Sequence, residues 1–161
     1  FITLKTGVKD GPFLIYDEEA YQTVGNYKNV NYDGKISVSG DSYSGYTIYK
    51  DNKIIETHSF SQYTGSRSTI YAENMCTQIE YSMVNGEPYR IQEFKGGKRN
   101  GKYQLYESEG MDPELICEAQ YIDDEFISGW CIEDGKKTPA TEEDISCWGC
   151  DNNYDDPRIE K

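Results

Sequence analysis

The stretch "EFKGGKRNGKYQLYESEG", residues 93–110, decides the fold. It contains four Gly, three Lys, one Arg and two Tyr, so a basic Gly-rich phosphate loop is one interpretation. Such a loop requires Ser or Thr after its last Lys and leads into a helix. Here "GKYQLY" follows, in which polar and apolar residues alternate as they do in a half-buried strand. The stretch therefore predicts a β-hairpin, with its basic residues at the turn, and not a phosphate site.

Related stretches recur along the chain. "GPFLIY" (11–16) and "GKYQLY" (101–106) share a Gly, an aromatic residue two positions later and a Tyr at position five, with looser copies starting at Gly45 and Gly129. "DG" and "DN" pairs follow several of these strands and supply the positive φ of tight hairpin turns. The pattern predicts a mainly β protein built as an antiparallel β-meander, although these Gly residues are unevenly spaced.

The segment "YRIQEFKGGKRNGKYQLYESEG" resembles the MORN-repeat variant found in many bacterial proteins. The pattern positions are Phe94, Gly97, Lys98, Gly101, Tyr103, Tyr106 and Gly110. Matching units cover about 8–16, 45–53, 89–110 and 121–136, whereas residues 57–77 and those after Thr138 fit poorly. The resemblance implies a meander of MORN-like hairpin repeats. It also implies a neutralising role, because such repeats occur in antitoxin and immunity components of toxin systems.

The chain is expected to be a single domain, 1–161, with the MORN-like meander at about 8–136 and a Cys-containing capping tail at about 137–161. In "TPATEEDISCW" a Thr cap, an acidic first turn and Pro139 predict a short helix at about 140–147. This helix is expected to cover the last edge of the sheet.

Composition limits the possible partners. The net charge is −13 and the mean hydropathy −0.81, yet 14% aromatic residues argue against disorder. A negative field repels nucleic acid and anionic lipid and favours basic partners. No stretch approaches the roughly 18 apolar residues of a membrane span. We therefore expect a protein partner, no nucleic acid and no membrane insertion.

Five cysteines indicate an oxidising compartment. If a hairpin is centred on Asp124, Tyr121 faces Ile127 and Cys117 faces Cys131 within disulfide range. Cys147 and Cys150 form "CWGC", which is compatible with a local disulfide, with other pairing or free thiols, or with a metal or redox site.

The remaining cysteine is most simply Cys76. Because the chain begins with Phe1, either it was trimmed or a signal peptide was removed. A periplasmic or extracellular location is predicted, with the cytoplasm as the alternative.

Catalytic residues are scarce. His58 is the sole histidine and is expected to be solvated or satisfied by hydrogen bonds, and neighbouring acids such as Glu142 and Glu143 are expected to be solvated. Asp151, Asn153 and Asp155 alternate as in a calcium loop, but the Gly that such a loop needs is absent. We predict no enzyme activity, no cofactor and no metal.

Tyrosine is typical of recognition surfaces, although it also fills the pleats of a meander. The predicted partner-binding residues are exposed strand or turn Tyr with nearby acids: Tyr43, Tyr46, Tyr49, Tyr103, Tyr106, Asp123 and Asp124. The expected function is an immunity or antitoxin protein that occludes a basic toxin. The alternatives are an envelope structural or assembly module and a carbohydrate-active enzyme that uses paired carboxylates.

Overall fold

The computed structural model describes residues 1–17, 21–63, 65–83, 85–107 and 113–146. Over these ranges the chain forms 14 strands in an antiparallel meander and one short helix near the C-terminus. The predicted mainly β fold class is confirmed. The contacts divide the chain into unit 1 (Phe1–Tyr71) and unit 2 (Ala72–Lys161).

In unit 1 each strand pairs with the next along the chain, except that the short β4 pairs with β3 beside the main path. The strands are β1 (Ile2–Lys5), β2 (Val8–Tyr16), β3 (Gln22–Lys28), β4 (Asn31–Tyr32), β5 (Gly34–Ser39), β6 (Tyr43–Lys50), β7 (Lys53–Ser61) and β8 (Gly65–Ala72), whose last residue begins unit 2.

Unit 2 continues the same sequential order. Its elements are β9 (Met75–Tyr81), β10 (Pro88–Lys95), β11 (Lys98–Glu107), β12 (Glu114–Ile122), β13 (Glu125–Glu133), β14 (Lys136–Pro139) and the helix α1 (Glu142–Ser146).

Two-residue turns with positive φ at both positions close six of the hairpins. Within the described ranges these turns are Thr6–Gly7, Asn29–Val30, Asp51–Asn52, Gly96–Gly97, Asp123–Asp124 and Asp134–Gly135. Such turns match the right-handed twist of the flanking strands. The segment "FKGGKRN" is one of these hairpins, as predicted, with Gly96 and Gly97 at its tip.

A regular period underlies the meander, and the uneven Gly spacing concealed it. A large apolar residue lies two positions before each of six turns, at Leu4, Tyr27, Tyr49, Tyr71, Phe94 and Tyr121, with intervals of 23, 22, 22, 23 and 27 residues, whereas Ile132, before the turn at 134–135, follows after only 11. The stretch 57–77, which fits the sequence pattern poorly, carries one of these positions, because Tyr71 is buried and precedes the turn residue Glu73. Counting from the turns recovers the period, since every hairpin needs a tip even where its glycines differ.

The similarity between "GPFLIY" and "GKYQLY" is structural. In β1–β2 the single residue Thr3 opposes three residues, 10–12, and in β10–β11 Glu93 opposes 100–102. Gly11 and Gly101 sit in these bulges with φ of 108° and 113°. A Cβ at Gly11 would lie 3.2 Å from Thr3, and one at Gly101 would lie 2.1 Å from Glu93. Both glycines are needed because the chain has a positive φ and no room at these points.

The core of unit 1 consists of Phe13, Tyr27 and Ile36, with Tyr49 packed against them. Phe13 pairs with Gly25, and a Cβ at Gly25 would clash with Ile36 and with the ring of Phe13. Because Gly25 has no side chain, Phe13 and Ile36 of the neighbouring strands can fill this part of the core face.

The core of unit 2 combines Tyr103, Leu105, Cys117, Ala119, Tyr121, Cys131 and Ile145. Ile145 of α1 is fully buried and lies over Gly129, where a Cβ would come within 2.8 Å of it. The helix is confirmed at 142–146, somewhat shorter than predicted. It packs on β13, where Gly129 provides the space for Ile145.

The disulfide Cys117–Cys131 is present, with Cα atoms 4.1 Å apart, and confirms the predicted bridge. The predicted pairing of Tyr121 with Ile127 is wrong. The turn is centred between Asp123 and Asp124, so Tyr121 pairs with Phe126, and a bulge then restores the register at the cysteines.

Cys76 is buried, and the disulfide found within the described ranges is Cys117–Cys131. Cys147, Cys150 and the residues beyond them lie outside the described ranges. A search of the described residues for a helix long and apolar enough to cross a membrane finds none.

Candidate protein-interaction surface

The three predicted contact tyrosines of β6 do not share a surface. Side chains alternate along a strand, so Tyr43 and Tyr49 lie on one face and Tyr46 on the other. Tyr49 belongs to the core face, where its ring lies 5.3 Å from that of Tyr32. Tyr43 is 39% exposed at the start of the strand, with its ring 6.5 Å from that of Tyr21.

Two tyrosines on the core face have raised pKa values. Burial, followed by the nearby charge of ionised Tyr32, raises the pKa of Tyr49. The hydrogen bond with Tyr27, followed by burial, raises the pKa of Tyr32. Both shifts favour the neutral phenol. Tyr49 is a packing residue because its side chain lies against the core of unit 1.

Tyr46 lies at the centre of the opposite face. Its hydroxyl donates a hydrogen bond to Glu56 (2.7 Å), and its ring stacks on His58 with centroids 5.3 Å apart and an interplanar angle of 16°. Lys35, from the strand on the other side, places its ammonium 4.0 Å from the ring centroid. These contacts hold the ring in one orientation, since β5 and β7 both restrain it.

His58 is held by serines. Its Nδ1 lies 2.7 Å from the hydroxyl of Ser68, and its Nε2 lies 3.0 Å from the hydroxyl of Ser66. This confirms the expectation of a satisfied histidine. With both ring nitrogens and one ring face engaged, His58 serves to fix Tyr46 and the surface around it.

Exposed apolar side chains surround this group. Val24 is 42% exposed, and Phe60 and Ile70 are each 44% exposed. The register places these side chains on the same face as Tyr46. Val24 pairs with Ser37, which pairs in turn with Tyr46. Phe60 lies two residues from His58 on β7, and Ile70 pairs with Glu56. We call this surface the Tyr46 face; its members are Val24, Lys35, Tyr46, Glu56, His58, Phe60, Ser66, Ser68 and Ile70.

The predicted contact residues of unit 2 are mostly engaged internally. The expected exposure of Tyr103 is wrong: the residue is 1% exposed, because it lies on the buried face beside Ala119 and Tyr121. Tyr106 is half-buried near the end of β11. Asp123 accepts a hydrogen bond from Asn100 (3.2 Å), and the Asp124 carboxylate accepts one from the N–H of Arg99 (2.8 Å).

Arg99 organises this end of unit 2 and was not predicted. Its guanidinium donates to Glu142 of α1 (2.9 Å) and lies 4.2 Å from the ring of Tyr121. Lys9 stands over Tyr27 in the same way in unit 1, at 5.2 Å. In both cases the basic residue lies two positions after one tip and faces an aromatic residue two positions before a neighbouring tip, and this spacing is the signal that would have identified Arg99.

A buried ionic group in unit 2 was also missed. Glu80 is 5% exposed and forms an ion pair with Arg90 at 2.5 Å. Tyr89 and Gln78 donate hydrogen bonds to its two carboxylate oxygens at 2.7 and 3.2 Å. Because the carboxylate is paired and hydrogen-bonded on both oxygens, the group is suited to fixing the register of β9 and β10.

Charge is distributed unevenly between the units. Residues 1–71 contain seven Lys and Arg and eight Asp and Glu, a net charge of −1. Residues 72–161 contain nine and 21, a net charge of −12. Nearly all of the negative field therefore arises from unit 2. Within the described part of the chain, no three His, Cys, Asp or Glu residues converge as metal ligands.

Comparison with known proteins yields little. No protein-family model matches the chain, and no curated protein matches it. One solved structure, a mutant of S. aureus TarM in complex with fondaparinux, alpha-GlcNAc-glycerol and UDP, aligns with 59% of this chain and 20% of its own at 20% identity and a TM-score of 0.42. This chain thus spans about a fifth of the length of that protein. The alignment is too weak to define a shared fold.

Proposed function

We propose that this protein is a non-catalytic protein-binding module that neutralises a bacterial toxin by occluding it. The Tyr46 face is the contact surface, and the acidic unit 2 favours a basic partner. The role rests on the resemblance of "YRIQEFKGGKRNGKYQLYESEG" to MORN-like immunity components, and the location of the surface rests on the geometry of unit 1.

The observation that carries the proposal is the composition of the Tyr46 face. Phe60 and Ile70 are exposed, while Tyr46 on the same face is held by Glu56, His58 and Lys35. Interface centres combine aromatic and aliphatic groups of this kind with polar atoms whose positions are already set. A preorganised side chain loses little conformational entropy on binding, which favours affinity.

The charge of unit 2 supports a basic partner. A net charge of −12 on one unit attracts a cationic protein over about one Debye length, roughly 8 Å at physiological salt. Such attraction raises association rates more than it strengthens the final complex. The Tyr46 face would then determine the dissociation rate.

The disulfide supports a periplasmic or extracellular site of action. Cys117 and Cys131 are bonded, and structural disulfides persist mainly in oxidising compartments. A toxin met in the same compartment is the partner that this proposal implies.

The test is affinity capture with the purified protein from envelope and lysate fractions of its source, followed by calorimetry with the captured partner. Phe60→Glu and Tyr46→Ala should each weaken binding at least about tenfold, because they change the centre of the face. Tyr43→Ala is the matched control, since it removes the same ring from the opposite face of the same strand.

A basic partner whose toxicity is suppressed by the wild type and not by Phe60→Glu would support the proposal. Equal loss of binding in Tyr43→Ala and Tyr46→Ala would place the contact elsewhere. Retention of a glycan in place of a protein, or concentration-dependent self-assembly alone, would favour the carbohydrate-active or envelope-assembly alternative.

A further inference from the structure

The lysines of unit 1 all lie along one side of its sheet, the side formed by strand ends and hairpin tips and not by an outermost strand. Each lies next to a hairpin tip or near the strand end beside it: Lys5, Lys9, Lys28, Lys35, Lys50 and Lys53. The pairings of Gly11 with Tyr27 and of Gly34 with Tyr49 put the turns at 6–7, 29–30 and 51–52 at this same edge. We call it the lysine edge. Three carboxylates, those of Asp10, Asp33 and Asp51, accompany the six ammonium groups.

The arrangement is periodic because the turn period generates it. Lys5, Lys28 and Lys50 each occupy the position directly before a turn, 23 and 22 residues apart. They lie on β1, β3 and β6, which are successive second neighbours in the sheet. With strands about 4.8 Å apart, their backbone positions are spaced by about 10 Å along the edge.

These lysines do not stabilise the fold through ion pairs. Lys50 and Lys53 are direct cross-strand partners, and like charges in that position are destabilising. Among the described residues no carboxylate lies within ion-pair distance of any of the six, whereas Arg90, Arg99 and Lys102 of unit 2 all form ion pairs. All six side chains of the lysine edge are exposed. A ligand of opposite charge is the simplest reason for such a row.

We propose that the lysine edge binds an extended acidic polypeptide segment. In an extended chain of the polyproline II type, residues three apart lie on the same side and are separated by about 9 Å, so carboxylates at every third position match the lysines before the tips. This goes beyond the proposed function, since it concerns an acidic ligand and a row of lysines that shares only Lys35 with the Tyr46 face.

A polypeptide fits better than single-stranded nucleic acid. Binding of single strands relies on aromatic rings on which bases stack. Near these tips the ring of Tyr27 is buried and has the ammonium of Lys9 over it at 5.2 Å. Compact ammonium groups without Arg forks act as point charges, which suits carboxylates presented in a line.

The test measures binding of a fluorescein-labelled peptide to the full chain by fluorescence anisotropy at about 50 mM NaCl. The peptide carries Glu at every third position, with Ser or Gly between. The variant Lys5→Gln/Lys28→Gln/Lys50→Gln should lose at least about tenfold in affinity. The matched control Lys95→Gln/Lys98→Gln/Lys136→Gln removes the same charge from unit 2 and should lose less than about twofold. Circular dichroism verifies the fold of both.

The proposal also predicts that spacing matters. A peptide with the same number of Glu residues grouped at one end should bind more weakly than the evenly spaced one. Three results would overturn the inference: no binding by the wild type, equal losses in the two triple variants, or tighter binding of a single-stranded oligothymidine of equal charge.

Discussion

Arg99 and Asp124 are joined by three hydrogen bonds across neighbouring hairpin tips. The N–H of Arg99 donates to the Asp124 carboxylate (2.8 Å), the N–H of Asp124 donates to the Arg99 carbonyl (2.9 Å), and the guanidinium donates to the Asp124 carbonyl (3.0 Å). In unit 1 the N–H of Val30 donates to the Lys9 carbonyl in the same manner (2.8 Å). Adjacent tips are thus tied by a recurring backbone contact, which the aspartate strengthens in unit 2.

The hydrogen bond from the Arg99 N–H to the Asp124 carboxylate predicts the effect of substituting Asp124. Asp124→Ala should lower the free energy of unfolding by about 1 kcal/mol, because the Arg99 N–H loses its acceptor at a partly exposed site. Asp124→Asn, which keeps an oxygen in place, should cost less than half as much. Urea unfolding measures both, and Asp134→Ala reports the cost of Ala at positive φ in another tip. A loss no larger than that of Asp134→Ala would mean that the side-chain acceptor contributes nothing.

Removing the disulfide should destabilise the β12–β13 hairpin. Cys117→Ala/Cys131→Ala opens a link between residues 14 apart, for which loop entropy suggests about 3 kcal/mol. Cys76→Ala tests a buried cysteine outside the bridge. Unfolding midpoints under oxidising conditions should fall most for the double variant. If dithiothreitol lowers the wild-type midpoint and leaves that of the double variant unchanged, this bridge alone accounts for the redox sensitivity.

Val30 is strained, and relieving the strain should stabilise the protein. It has φ of 69°, a conformation that β-branched residues rarely adopt, and its side chain is 58% exposed. Val30→Gly creates an Asn-Gly tip and should raise the free energy of unfolding by about 0.5–1 kcal/mol, after allowance for the flexibility of Gly in the unfolded chain. Val24→Gly, in the middle of β3, should instead destabilise it. Thermal and urea unfolding should show that the free energy of unfolding rises for Val30→Gly and falls for Val24→Gly. A change in the same direction for both variants would contradict the presence of strain at Val30.

The core tyrosines of unit 1 predict alkaline sensitivity. The pKa values of Tyr32 and Tyr49 are raised in the folded state, so above about pH 10 the unfolded chain loses its protons first. Their contribution to stability is complete below the unfolded pKa and is lost as pH rises through the folded values. Tyr49→Phe should make the stability fall less steeply with rising pH, measured as urea unfolding midpoints between about pH 9 and 11. Tyr63→Phe, at a ring 77% exposed, is the control, and equal slopes for the two variants would argue against burial as the cause.

The sequence by itself determined the meander, the hairpin at 96–97, the Cys117–Cys131 bridge and the short helix near the C-terminus. These follow from local chemistry: alternation marks strands, turn residues mark tips, and a cap with an acidic first turn marks the helix. The cysteine register was predicted correctly although its detail was wrong, because the true turn centre and a bulge at Ile127 shift the pairing in opposite directions.

Only the tertiary structure decided which tyrosines contact solvent. Tyr43, Tyr46 and Tyr103 all stand in Tyr-, Ser- or Gly-rich segments, yet one is exposed, one is held by side chains of its two neighbouring strands and one is buried. Burial depends on the face a residue occupies and on what neighbouring strands place beside it. The lysine edge is likewise invisible along the chain, because six residues spread over 49 positions become neighbours only when hairpin tips align at one edge of the sheet.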